Sequence, residues 1–212
     1  MPYLFVMTAV AGLAILIGLA VYRSRKSAAN LKALAERLGL EYWQQKAGAF
    51  ETMGSATGML GGRKVGFHQF TTGDGRSQQK WRAVSVFPAK TGGLTFELRG
   101  QGLFSKLQAV FGVKEATVGD EAFDTAWFLQ TNEPEFLGAA LVPEIREKLM
   151  AARTAGGLAI SFRLEKGTVR YAELGDFSSE QACARLEQML PVLHDLAAIA
   201  EVAAEMEERR AV

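Results

Sequence analysis

The chain has 212 residues, of which 49% are hydrophobic and 22% charged, a balance that excludes a disordered or low-complexity protein. Its net charge is +1, and setting aside Arg23, Arg25 and Lys26 leaves 21 basic against 23 acidic residues, which disfavours nucleic-acid binding. A single cysteine, Cys183, excludes an intrachain disulfide and a zinc site built on thiolates, and reads as a small buried residue.

Tyr3 to Tyr22, YLFVMTAVAGLAILIGLAVY, carries no charged side chain. As a helix this run spans roughly 30 Å, the thickness of a bilayer's hydrocarbon core. Aromatic rings with polar tips close both ends. A cleaved signal peptide has a basic start, a shorter apolar stretch and a small-residue cleavage site. Here the start is Met-Pro-Tyr, and the run ends in Arg23-Ser24-Arg25-Lys26. The expectation is an uncleaved signal anchor, a single transmembrane helix with its basic flank over residues 1–26. Basic residues stay on the cytoplasmic side. The N-terminus is therefore expected outside and residues 27–212 inside, as a cytoplasmic domain at a bacterial inner membrane.

Leu31, Leu34 and Leu38 share one face of a predicted helix over Ala28–Leu38, with Gly39 as its cap. A strand over Glu41–Gln45 follows. Gly61-Gly62 separates Ala56–Leu60 from Arg63–Thr72 and predicts a hairpin. The polar loop Thr71–Gln79 leads to a strand over Trp81–Pro88, then to another over Leu94–Arg99. Leu103, Leu107, Val110 and Phe111 form a helical face ending at Gly112. Thr125–Gln130 reads as a strand. Asn132 with Glu135 resembles a capping box, and Pro143 opens a second helix through Arg153. Leu158–Leu164 and Thr168–Leu174 flank Glu165-Lys166-Gly167 as a hairpin. Ser178 with Gln181 opens a long helix with a Leu186, Leu190, Leu193, Ala197 stripe, kinked at Pro191. The charged tail Glu205–Arg210 is expected to fray. Strands and helices come in blocks rather than strict alternation, so the fold class is α+β: one antiparallel sheet with helices.

Gly119-Asp120-Glu121-Ala122-Phe123-Asp124 is the most distinctive phrase. Asp120 and Asp124 have the spacing of an acid/base or metal pair, yet no third ligand or partner base accompanies them. The favoured reading makes Asp120 a turn cap and Phe123 a core plug. His68, between two phenylalanines, and His194 lack the carboxylate and nucleophile that histidine catalysis needs. Gly73-Asp74-Gly75 is too short for a calcium loop, and no phosphate-loop, dinucleotide or nucleophile-elbow motif occurs. The expectation is no catalytic residue, metal or cofactor, with Asp120, Phe123, Asp124, His68 and Asp74 as candidate binding residues.

Phe123-Asp124, Phe128, Asn132-Glu133-Pro134-Glu135, Leu141 and Pro143, Leu149 and Ile160-Ser161-Phe162 form a pattern over residues 55–175. It resembles a family of uncharacterised bacterial membrane proteins that share a cytoplasmic domain of unknown function. In that family a threonine usually stands where Val142 is, and two membrane helices are common. The resemblance implies an α+β architecture and no particular activity.

The leading functional expectation is a membrane-tethered, non-enzymatic domain that binds a ligand or a protein partner at the inner face. One alternative is a tethered hydrolase-like enzyme using Asp120 and Asp124. Another is a structural protein that assembles through its C-terminal helix.

Overall fold

The computed structural model describes residues 2–46, 52–100, 115–156 and 160–210; in the first helix, the side chains of residues 2–10 and 13 lie outside the described set. The helix expected over Leu103–Phe111 also lies outside it.

The first element is longer than its expected domain portion. Helix α1 runs unbroken from Pro2 to Leu38, so the apolar run and the amphipathic segment are one rod of 37 residues. No proline interrupts it after Pro2, and Gly39 ends it. With φ at +66°, Gly39 takes the left-handed conformation, and Leu40 N donates to Ala35 O at 2.8 Å in a Schellman closure. Ser27, Leu31, Leu34 and Ala35 face the domain and are buried. Further back the rod is bare: Ile15, Leu16 and Leu19 are 63%, 65% and 54% exposed. Among the described residues no helix is long and apolar enough to cross a membrane.

Among the described residues nine strands follow in a single sheet: β1 (Glu41–Lys46), β2 (Thr52–Leu60), β3 (Arg63–Thr72), β4 (Gln79–Phe87), β5 (Phe96–Gly100), β6 (Glu115–Ala116), β7 (Trp127–Thr131), β8 (Ile160–Glu165) and β9 (Thr168–Leu174). Their order is β1-β2-β3-β4-β9-β8-β5-β7-β6, and every recorded pairing is antiparallel. The remaining helices are α2 (Glu121–Ala126), α3 (Pro134–Ala140), α4 (Pro143–Gly156), α5 (Glu180–Gln188) and α6 (Leu190–Arg210). The class is α+β, as the block pattern predicts.

One face of the sheet carries the core. Val65, Phe67, Val84, Val86, Val169, Tyr171, Phe162, Leu98 and Leu129 join Leu34, Leu149, Leu186 and Leu193 from four helices in one cluster. Each large aliphatic or aromatic side chain buried this way contributes about 1.5–3 kcal/mol. Alternation then sends Lys64, Gly66, His68, Ser85, Arg163 and Arg170 to the opposite face. No helix among the described residues joins that face to the core cluster.

Several local details differ from the sequence expectations. Ser179, not Ser178, caps α5, accepting from Ala182 N, while the Ser178 hydroxyl donates to Asp176. Asn132 does not cap α3; its side chain ties Thr95 N and Gly93 O across the loop before β5. Residues before β7 form α2 rather than a plain turn. The Pro191 kink becomes a break at Met189 between α5 and α6, since proline cannot donate a helical hydrogen bond. The charged tail stays helical to Arg210, and its exposed Lys90–Glu208 pair ties it to the loop after β4.

Candidate functional site

Asp120 and Asp124 close one turn. Asp120 accepts from Phe123 N at 3.2 Å, capping α2, and lies 3.4 Å from Arg146. Asp124 accepts from Val118 N at 3.0 Å and Gly119 N at 3.1 Å. Phe123 is buried against Trp127. Asp74 starts the short 3-10 turn Gly75–Ser77, and its carbonyl, not its carboxylate, takes the Ser77 amide and hydroxyl. Five strand steps separate β7, beside α2, from His68 on β3, about 24 Å at the usual strand spacing. The structure therefore brings neither aspartate to His68. Among the described residues no group of three or more His, Cys, Asp or Glu is placed to hold a metal ion. The stripe of the last helices is used internally: Leu186, Leu193 and Ala197 are in the core.

His68 lies in a different setting, a depression of about 370 Å³ on the sheet face opposite the core, with Ser85, Arg163 and Arg170. The pleat explains its shape. Cross-strand register aligns Gly66, Ser85, Arg170, Arg163 and Glu97 in one row over five strands. The next row runs His68, Ala83, Ala172, Ser161. Small residues at the centre form a floor, and longer side chains form walls. On one side Phe70 stacks on Trp81 with ring centroids 6.2 Å apart; on the other Lys64 sits 5.5 Å above the Phe87 ring.

Charge in the depression is uneven. Arg163 and Arg170 oppose each other directly across the β8–β9 pair. Arg163 lies 3.3 Å from Glu165 and 3.6 Å from Glu97, and Glu97 is also held by Arg99 at 2.7 Å. The Arg170 guanidinium stacks 4.7 Å above the Phe70 ring, and no ion pair to it is formed by any described residue. Burial and then the charge of Arg163 lower the Arg170 pKa, against smaller opposing effects of Glu165 and Glu97. Burial and then Arg170 hold the His68 imidazole below its ordinary value, so it is neutral at pH 7. Ser85 is 2% exposed and its hydroxyl has no hydrogen-bond partner.

Sequence reasoning found His68 here and missed Ser85, Arg163 and Arg170. A signal was present: a two-residue turn at Lys166-Gly167 places residue 163 opposite residue 170. A second polar cluster is structural. Glu173, 2% exposed, accepts from Arg82 at 2.6 Å, Arg185 at 3.3 Å and Tyr171 at 3.2 Å. The Cys183 thiol nearby is buried, and that burial pushes its pKa up to about 11.

No protein-family profile matches the chain, and no curated protein matches its sequence. Among solved structures, it is similar to the crystal structure of the mycobacterial trehalose monomycolate transport factor A, TtfA. The TM-score is 0.53 at 12% identity, over 82% of this chain and 94% of that one. At that identity the likeness concerns the fold.

Proposed function

We propose that the chain is a membrane-tethered, non-enzymatic binding domain that presents the open face of its sheet at the cytoplasmic side of a bacterial inner membrane. The observation that carries this is the rod. Helix α1 continues from the domain into the apolar run without a linker, and its bare portion exposes Ile15, Leu16 and Leu19 to whatever surrounds it. A projecting helix with that surface asks for cover, and the Tyr3–Tyr22 run has the length and composition for lipid.

The mount is stiff. Ser27 Oγ accepts from Gln69 at 3.1 Å and from Phe177 N at 3.2 Å, and Asn30 donates to Phe177 O at 2.9 Å. Asp176, beside Arg23 at 3.7 Å, has a lowered pKa: burial raises it, but the Ser178 hydroxyl and amide, with Arg23 and Arg82, outweigh burial. Leu40 at the far end of α1 touches Gly58, and Gly58 pairs with Val65. β3 therefore runs from the end of α1 back toward its N-terminus. Three residues beyond Gln69 the β3–β4 hairpin has advanced about 10 Å, while Ser27 to Tyr22 covers about 8 Å of helix. This supports a hairpin tip at the level of Tyr22, where headgroups would lie if the run is inserted. The mycobacterial protein that shares the fold is a transport factor, and handling a ligand at the bilayer surface is the form of binding we favour.

The test uses the full chain in bacterial membranes. It is expected to resist alkaline carbonate extraction, and alkaline phosphatase fused after Val212 is expected to be inactive while a fluorescent protein fused there is bright. Release by carbonate, or an active phosphatase fusion, overturns the reading.

A further inference from the structure

Resting on the reading of this sheet face as a binding surface, we propose that the depression between Arg163 and Arg170 binds a phosphate-class oxyanion, either free or as the headgroup of an anionic lipid drawn out of the bilayer, because six strand residues, about 20 Å, separate the Ser85 row from the Thr72 tip. Like charges placed directly opposite on adjacent strands repel, and here the β8–β9 hairpin holds two guanidiniums in that position. A structural purpose would pair both. Glu97 and Glu165 pair with Arg163, and Glu97 also with Arg99, whereas Arg170 forms no ion pair with a described residue and stacks on the Phe70 ring. Guanidinium forks match tetrahedral oxyanions in bidentate fashion, and stacking on an aromatic face holds the fork without consuming its donors.

Two further groups fit the same ligand. The Ser85 hydroxyl occupies the same cross-strand row as Arg170, is buried, and has no partner. Buried hydroxyls are nearly always satisfied, so an acceptor above it completes an unfinished site. The neutral His68 imidazole supplies one N–H donor from the adjoining row. The wider field agrees. Arg163, Lys166 and Arg170 line the depression against Glu165, three positive groups against one negative. The chain beyond the basic flank is otherwise slightly acidic. The positive charge is therefore concentrated at the depression.

The experiment takes the full chain in an uncharged detergent at pH 7. Inorganic phosphate is titrated against chloride at constant ionic strength, and thermal unfolding is recorded. A saturable rise in Tm with phosphate is expected, as for any ligand that binds the folded state alone. Arg170→Gln is expected to weaken phosphate by about tenfold or more, the scale of one charge-assisted hydrogen bond. It is also expected to raise Tm in phosphate-free buffer, because it relieves the repulsion with Arg163; a residue with a purely structural role would lower it. Arg170→Lys keeps the charge but lacks the fork, and is expected to bind more weakly than the wild type; it serves if the Gln variant does not fold. A second arm places the chain in phosphatidylcholine nanodiscs with and without phosphatidylglycerol. Stabilisation by phosphatidylglycerol that blunts the phosphate response, and that Arg170→Gln abolishes, identifies a lipid headgroup. A phosphate response in detergent with no phosphatidylglycerol effect identifies a soluble phosphate. No response above chloride in either arm, or wild-type binding by both Arg170 variants, overturns the site. Failure of the tether would appear in carbonate extraction and leave the phosphate titration intact, so the two readings fail separately.

Discussion

Glu173 is the sharpest point at which to perturb this fold. Its carboxylate is 2% exposed and is shared by Arg82 at 2.6 Å, Arg185 at 3.3 Å and the Tyr171 hydroxyl at 3.2 Å. Glu173→Gln preserves volume and removes the charge. It leaves two guanidiniums facing one another, with side chains 11% and 28% exposed. Breaking a buried ion pair by removing one partner costs about 3–5 kcal/mol, because the remaining charge is uncompensated. In a domain of this size each kcal/mol shifts Tm by about 2–4 °C, so a fall of about 6–20 °C is expected. The exposed Lys32–Glu36 pair, 3.7 Å apart with side chains 61% and 68% exposed, is the control. Breaking that pair is expected to change stability by less than about 1 kcal/mol. Urea unfolding of both variants, followed by circular dichroism, measures the difference. A loss in Glu173→Gln no larger than the control would refute the reasoning, and would mean that water reaches the cluster in solution.

Two other outcomes follow from the same physics. His68, through burial and then Arg170, and His194, through burial and then Arg63, have folded pKa values below the ordinary 6.5. The unfolded chain therefore takes up protons first, so their contribution is complete above about pH 6.5 and is lost as pH falls through the lowered values. His68→Gln in chloride buffer is expected to flatten that fall; an unchanged slope of unfolding free energy against pH speaks against a buried, neutral imidazole. Gly92 has φ of +50°, and a Cβ there would stand 2.4 Å from Ala204 Cα and 2.8 Å from Ala204 N. Gly92→Ala forces the backbone of α6 to move as well as straining a left-handed residue, so it is expected to cost more than the strain alone, about 1–3 kcal/mol. Gly167→Ala, with φ of +73° and open space around it, carries the strain alone, and equal losses in denaturant would contradict the close approach at α6.

The local elements were legible because their causes are local. Gly39 ends α1, Gly61-Gly62 turns β2 into β3, and Lys166-Gly167 turns β8 into β9, each with positive φ. Asp120 was readable as a cap for the same reason: donor and acceptor are three residues apart. Errors arose where the polar residue had a better partner outside the helix, distant for Asn132 and two residues back for Ser178. Asn132 is drawn to Thr95 and Gly93, and Ser178 to Asp176, so neither caps the helix it precedes.

The sequence by itself determined the apolar run and the hairpins, since composition and turn residues set those without distant contacts; the opposition of Arg163 to Arg170 was not read from it, because the expected Glu165-Lys166-Gly167 turn is one residue longer than the observed Lys166-Gly167 turn. Tertiary structure decided the rest. Inserting β9 between β4 and β8 aligned Ser85 with Arg170, and gathering the helices into one core left His68, Ser85 and both arginines on the other face. Burial of the large apolar side chains drives that arrangement, and it depends on residues far apart in the chain. The site therefore appears only when the sheet is assembled.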